Sequence, residues 1–115
     1  MQNFANDAQT IYLFQLEKLK VTSCEQLVAI AELPSSLKLL LADSCKSLQV
    51  IPKLSYLSQL QVLSLAKCEQ LVALPELHSS LKYLNAYGYK SLQMMPKLSH
   101  LSQLEKFKVT SCEQL

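Results

Sequence analysis

Arginine and tryptophan are missing from this 115-residue chain, and glycine occurs once. Without arginine there is no bidentate fork for guanine or phosphate. All eleven basic residues are lysine, and the formal net charge is only +2. That balance argues against a polyanionic partner, so no nucleic-acid role is expected. A single glycine rules out a glycine-rich phosphate loop, and neither G-x-S-x-G nor H-E-x-x-H occurs. No apolar run approaches the ~18 residues that a membrane-spanning helix needs. The first seven residues, "MQNFAND", lack the basic start and apolar run of a signal peptide. A cytoplasmic location with no membrane partner is the expectation that follows. Disorder is excluded by composition, with 50% hydrophobic and 17% charged residues.

What the chain has in excess is leucine, at 25 of 115 residues, and it is arranged periodically. Residues 16–59 and 60–103 share 27 identities over 44 positions. A third copy opens at Leu104, where "LEKFKVTSCEQL" differs at one position from "LEKLKVTSCEQL" at Leu16–Leu27. Each 44-residue unit divides again, with sub-repeats opening at residues 16, 37, 60, 81 and 104. The last is incomplete at Leu115. Positions are counted below from each opening leucine as one.

The third sub-repeat, "LQVLSLAKCEQLVALPEL", reads L-x-x-L-x-L-x-x-C-x-x-L-x-x-L-P-x-L. This resembles the leucine-rich repeat, whose signature is L-x-x-L-x-L-x-x-N/C-x-L at a period of 20–29 residues. The resemblance covers residues 12–115. It implies an α/β-class, right-handed leucine-rich-repeat solenoid with short parallel strands on a concave face. Its convex face would carry extended or 3₁₀ segments, with few or no long helices. The residues support this independently. Apolar side chains at positions four and six alternate with others, which is strand periodicity. They are Leu19 and Val21, Leu40 and Ala42, Leu63 and Leu65, Leu84 and Ala86, and Phe107 and Val109. Such a strand cannot bury its apolar side alone, and stacked repeats close a continuous core. After Cys68, leucines recur every third residue at 71, 74 and 77 to carry the chain around the far side. Pro52, Pro75 and Pro96 remove donors at matched positions there, which disfavours an α-helix.

All four cysteines, Cys24, Cys45, Cys68 and Cys112, stand at position nine. That regularity predicts inward-facing, unpaired thiols meeting neighbouring backbone. No C-x-x-C occurs, and His78 and His100 lie in connecting segments away from the cysteine column. No metal and no cofactor are expected, and both histidines read as surface residues. The serine pairs at 35–36 and 79–80 read as turn residues. Glutamates that recur with the repeat read as solvated architecture. With no nucleophile–base constellation the chain does not read as an enzyme, and no catalytic residue is expected.

Positions three, five and seven should face outward from the strands. Position three runs Lys18, Leu39, Val62, Tyr83, Lys106, and position five runs Lys20, Leu41, Ser64, Asn85, Lys108. Position seven runs Thr22, Asp43, Ala66, Tyr87, Thr110. The framework repeats faithfully while these columns change. The candidate protein-binding surface is therefore Leu39, Leu41, Val62, Tyr83, Asn85 and Tyr87, flanked by Lys18, Lys20, Lys106 and Lys108. An apolar centre with aromatic anchors and a polar rim is an arrangement that interfaces use.

Residues 1–11 fit no repeat and read as an N-terminal flank or partial cap, with the array over 12–115. Ending inside a repeat leaves an open strand edge, so either a fragment of a longer array or self-association through that edge is expected. The strings "CEQLVALPEL" and "SSLKYLNA" resemble the leucine-rich repeats of plant intracellular immune receptors that carry a Toll/interleukin-receptor-like domain. That resemblance implies a ligand-sensing module whose partner is a pathogen effector or another domain of the same receptor. Bacterial effector repeats share "LPELPSSLK"-like strings but favour Asn at position nine. The near identity of the units also fits a recently duplicated or engineered solenoid without a natural ligand. One stretch breaks the pattern: "AYGYK" places Tyr89 where the other repeats have cysteine, directly after Gly88. Gly88 and Tyr89 read as a compensated break in the cysteine column, with glycine supplying φ > 0 to re-aim the chain.

Overall fold

The computed structural model describes residues 16–30, 32–88 and 98–108. Five three-residue strands form one parallel sheet: β1 (Lys18–Lys20), β2 (Leu39–Leu41), β3 (Val62–Ser64), β4 (Tyr83–Asn85) and β5 (Lys106–Lys108). Their order in the sheet is their order in the chain. Each repeat thus adds one rung, and the result is a β-solenoid of about four turns.

The register follows the sub-repeat numbering without a slip. Position-four residues align as Leu19, Leu40, Leu63, Leu84 and Phe107. Leu40, Leu63 and Leu84 are fully buried, while their neighbours at positions three and five are at least partly exposed on β2 and β4. Position six lies inside as well, at Ala42, Leu65 and Ala86. Phe107, on the last strand of the sheet, remains 49% exposed. Backbone bonds continue the ladder past the strands. The position-six N–H donates to the next rung's position-five carbonyl, as in Ala42 to Ser64 (2.8 Å) and Ala86 to Lys108 (2.7 Å).

The far side of the first three turns is extended, with no helix of any kind among the described residues. Its curvature comes from isolated turns that join residues three apart. The amides of Leu27, Leu48 and Leu71 donate to the carbonyls of Cys24, Cys45 and Cys68 at 3.1–3.2 Å. A bond of this kind puts both ends of the turn on one side, which is why apolar residues recur in threes. Leu71, Leu74 and Leu77 all lie inside. Each leucine so buried contributes roughly 1.5–3 kcal/mol of transfer free energy. Ser36 and Ser80, in the serine turns, donate to the carbonyls of Leu16 and Leu60 at 2.7 Å and tie the end of a repeat to its start.

Position eight corrects the sequence reading. Ser23, Ser44, Lys67 and Gly88 all adopt positive φ, between 58° and 81°. The left-handed residue belongs to all four rungs in which position eight is described, and in the first three it turns the chain out of the strand ahead of Cys24, Cys45 and Cys68. Gly88 is therefore not a local compensation for Tyr89; it is the one repeat in which the residue suits the conformation. Tyr89 and Cys112 lie outside the described residues. A side chain in this region costs roughly 1–2 kcal/mol that glycine avoids, partly offset by glycine's freedom in the unfolded chain. Lys67→Gly should raise stability by about 0.5–1 kcal/mol. Gly88→Ala should lower it, because its Cβ would also sit 3.2 Å from Lys67 Cγ. Urea unfolding of both variants checks the opposite signs.

Candidate functional site

The columns inferred from sequence are physical rows. Zero-offset pairing sets Lys18, Leu39, Val62, Tyr83 and Lys106 side by side across the sheet, and Lys20, Leu41, Ser64, Asn85 and Lys108 beside them. The four lysines are exposed. Leu39, Leu41, Val62, Tyr83 and Asn85 are half-buried, since neighbours in a row cover one another's flanks. Tyr87, one row further along, is 40% exposed. Lys108 Nζ lies 5.8 Å from its ring centroid, a cation–π contact that links the two rows.

Between the large side chains of β2 and β4, the third rung carries small ones. Ser64 and Ala66 are both buried. Asp43 ties them to the rung before, its Oδ1 accepting from Ser64 Oγ (2.6 Å) and Ala66 N (2.9 Å). Sequence reasoning placed neither Asp43 nor Ser64 in the site. Their pairing joins position seven of one rung to position five of the next, and a column-by-column reading does not see diagonals.

Asn85 Oδ1 is buried without a hydrogen-bond partner. An unsatisfied acceptor of this kind costs about 1–3 kcal/mol. Leu41 occupies the same row two strands away. Asn85→Leu should therefore raise stability by about 1 kcal/mol, read as a higher unfolding midpoint. A lower midpoint would mean that the amide is needed where it stands.

Behind the face, the cysteines form a ladder of their own. Cys45 Sγ donates to Val21 O (2.8 Å) and Cys68 Sγ to Ala42 O (3.0 Å), each reaching the position-six carbonyl of the preceding rung. Both are fully buried free thiols, and Cys24 is a half-buried one. Burial is the main cause that pushes the Cys45 thiol up, and it pushes Cys68 up to about 11. Asp43 adds to both shifts by charge repulsion. Thiols held protonated in this way are poor nucleophiles and poor ligands. Among the described residues no three His, Cys, Asp or Glu side chains gather as a metal site.

The histidines have structural partners that the sequence did not reveal. His100 Nε2 lies 2.9 Å from Leu77 O. Tyr56, 44 residues earlier, bonds through its hydroxyl to the backbone of Leu33 in the same way. Two different residue types thus do one job, tying a rung to the one before it. His78 is half-buried, and its Nδ1 accepts from Ser80 N (3.0 Å).

Among the described residues no helix is long and apolar enough to cross a membrane. No family model, curated protein or solved structure matches this chain.

Proposed function

We propose that the chain is a non-catalytic protein-recognition module of the leucine-rich-repeat type, which binds a protein through the outer face of its sheet. The supporting observation is the contrast between the two sides of the same strands. Position four is leucine in every rung from β1 to β4, whereas the outer rows change residue at almost every rung and gather apolar and aromatic side chains at the centre. Core packing accounts for uniformity inside, and nothing in packing calls for tyrosines outside.

Within this reading, the resemblance to plant Toll/interleukin-receptor-type immune receptors makes the module a cytoplasmic sensor of pathogen proteins or of a neighbouring receptor domain. A second reading, a duplicated or engineered solenoid without a ligand, draws on the 27 identities between the two 44-residue units. The two readings separate by experiment. Random-peptide display on the folded chain should yield binders that contact the face. Tyr83→Ala combined with Tyr87→Ala should weaken those binders roughly 30-fold, equivalent to about 2 kcal/mol for two anchors. The thermal midpoint should stay nearly unchanged, because neither ring lies in the core. Binders indifferent to the double substitution would reject this face.

A further inference from the structure

The positive charge on the outer face of the strands stands only at its ends. Lys18 and Lys20 stand on β1 and Lys106 and Lys108 on β5, while the intervening strands β2, β3 and β4 carry no charged residue. None of the four lysines has a carboxylate within ion-pair distance among the described residues, where the ion pair is Lys38 with Glu17 at 3.8 Å. Among the described residues one carboxylate lies on the face, that of Asp43, and its Oδ1 is taken by Ser64 and Ala66. A chain with a net charge of only +2 thus sets four cations without a carboxylate partner on one surface, in two separated pairs.

We infer that the occupant of this face is an extended segment of another protein with an apolar or aromatic centre and acidic residues at both ends, lying across the strands. This rests on the protein-recognition reading above and adds to it the chemistry of the partner. The spacing is fixed by the sheet. Parallel strands lie about 4.8 Å apart, so four steps from β1 to β5 separate the lysine pairs by about 19 Å. An extended chain advances about 3.3 Å per residue, so the acidic ends stand about six residues apart. Between them, side chains meet the half-buried Leu39, Leu41, Val62 and Tyr83. Tyr87, under Lys108, is placed to take an apolar group beside an acidic one. Complementary charge at the ends would set register and speed encounter, and the apolar centre would hold the segment.

The probe is a labelled eight-residue synthetic peptide with two glutamates at each end and four apolar or aromatic residues between them, which sets the acidic pairs six residues apart, followed by fluorescence anisotropy. It should bind the folded chain at least tenfold more tightly than the same peptide with glutamine ends, and raising salt from about 50 to about 300 mM should remove most of that advantage. Lys18→Glu, Lys20→Glu, Lys106→Glu and Lys108→Glu together should abolish binding and transfer it to the lysine-ended peptide, a gain that a misfolded variant could not show. Equal binding by the glutamine-ended peptide, or by polyglutamate without an apolar centre, would overturn the inference. So would a concentration-dependent dimer that the charge reversal disperses, since the occupant would then be a second copy. Display-selected peptides that depend on Tyr83 and Tyr87 but lack acidic ends would overturn the charge pattern alone. Selected peptides insensitive to those tyrosines would overturn the recognition reading beneath it.

Discussion

Leu63→Ala is expected to cost roughly 3–5 kcal/mol and to unfold much of the array at temperatures where the parent is folded. Leu63 is fully buried on β3, the middle strand, with Leu40 and Leu84 in register on either side. Those neighbours cannot collapse into the space. Backbone bonds on both sides of the strand hold them, including Gln61 N to Lys38 O and Lys82 N to Gln61 O at 2.8 Å. The cavity therefore stays largely open, and its energy adds to the lost transfer term. The architecture enlarges the consequence. Each rung packs only on the rungs beside it, so a weakened centre divides one stack into two short ones. Since whole domains are stable by only about 5–15 kcal/mol, neither half would persist alone. Val62→Ala, one residue away on the half-exposed outer row, should cost no more than about 1 kcal/mol. Urea unfolding of both variants makes the comparison. A loss below about 1 kcal/mol for Leu63→Ala would show that the core relaxes and that position four is not the framework.

The pair illustrates what could be read in advance. Alternation alone sets Leu63 and Val62 on opposite faces, and counting from each opening leucine sets each beside its counterpart on the next rung, although the sub-repeats alternate between 21 and 23 residues. The rhythm of threes after Cys68 was also legible, because turns joining residues three apart keep one side of the chain inward. Conformation without a compositional mark was not legible. Position eight is left-handed at Ser23, Ser44 and Lys67 as well as at Gly88, yet only the glycine signalled it, so a shared feature looked like a local exception. Contacts that join different positions were equally hidden. Asp43 and Ser64 meet diagonally, and Tyr56 and His100 do the same work with unrelated side chains. Repeats disclose what recurs by residue type, and they conceal what recurs only by geometry.

The cysteine ladder supplies the second large effect, one that depends on pH. Cys68→Ala should cost about 2 kcal/mol at pH 7. The substitution removes the donor to Ala42 O, a carbonyl of a fully buried residue, and leaves that acceptor without its thiol partner. Between pH 9 and 11 the cost should largely disappear. In the unfolded chain this thiol ionises near its ordinary value of 9.0, whereas in the folded protein burial holds it up to about 11. Below pH 9 both states keep the proton and stability does not vary on its account. Above it the unfolded state binds fewer protons than the folded one, so stability falls as pH rises, by about 1.4 kcal/mol per unit until the folded thiol also ionises. Cys45 is shifted in the same direction and adds to the decline in the parent and in the variant alike. The difference between the two proteins therefore isolates Cys68. Unfolding midpoints in urea at pH 7, 9, 10 and 11 should show parent and variant converging. A gap that stays constant across this range would mean that the Cys68 thiol is not held protonated by burial, and the ladder would then rest on packing rather than on a buried hydrogen bond.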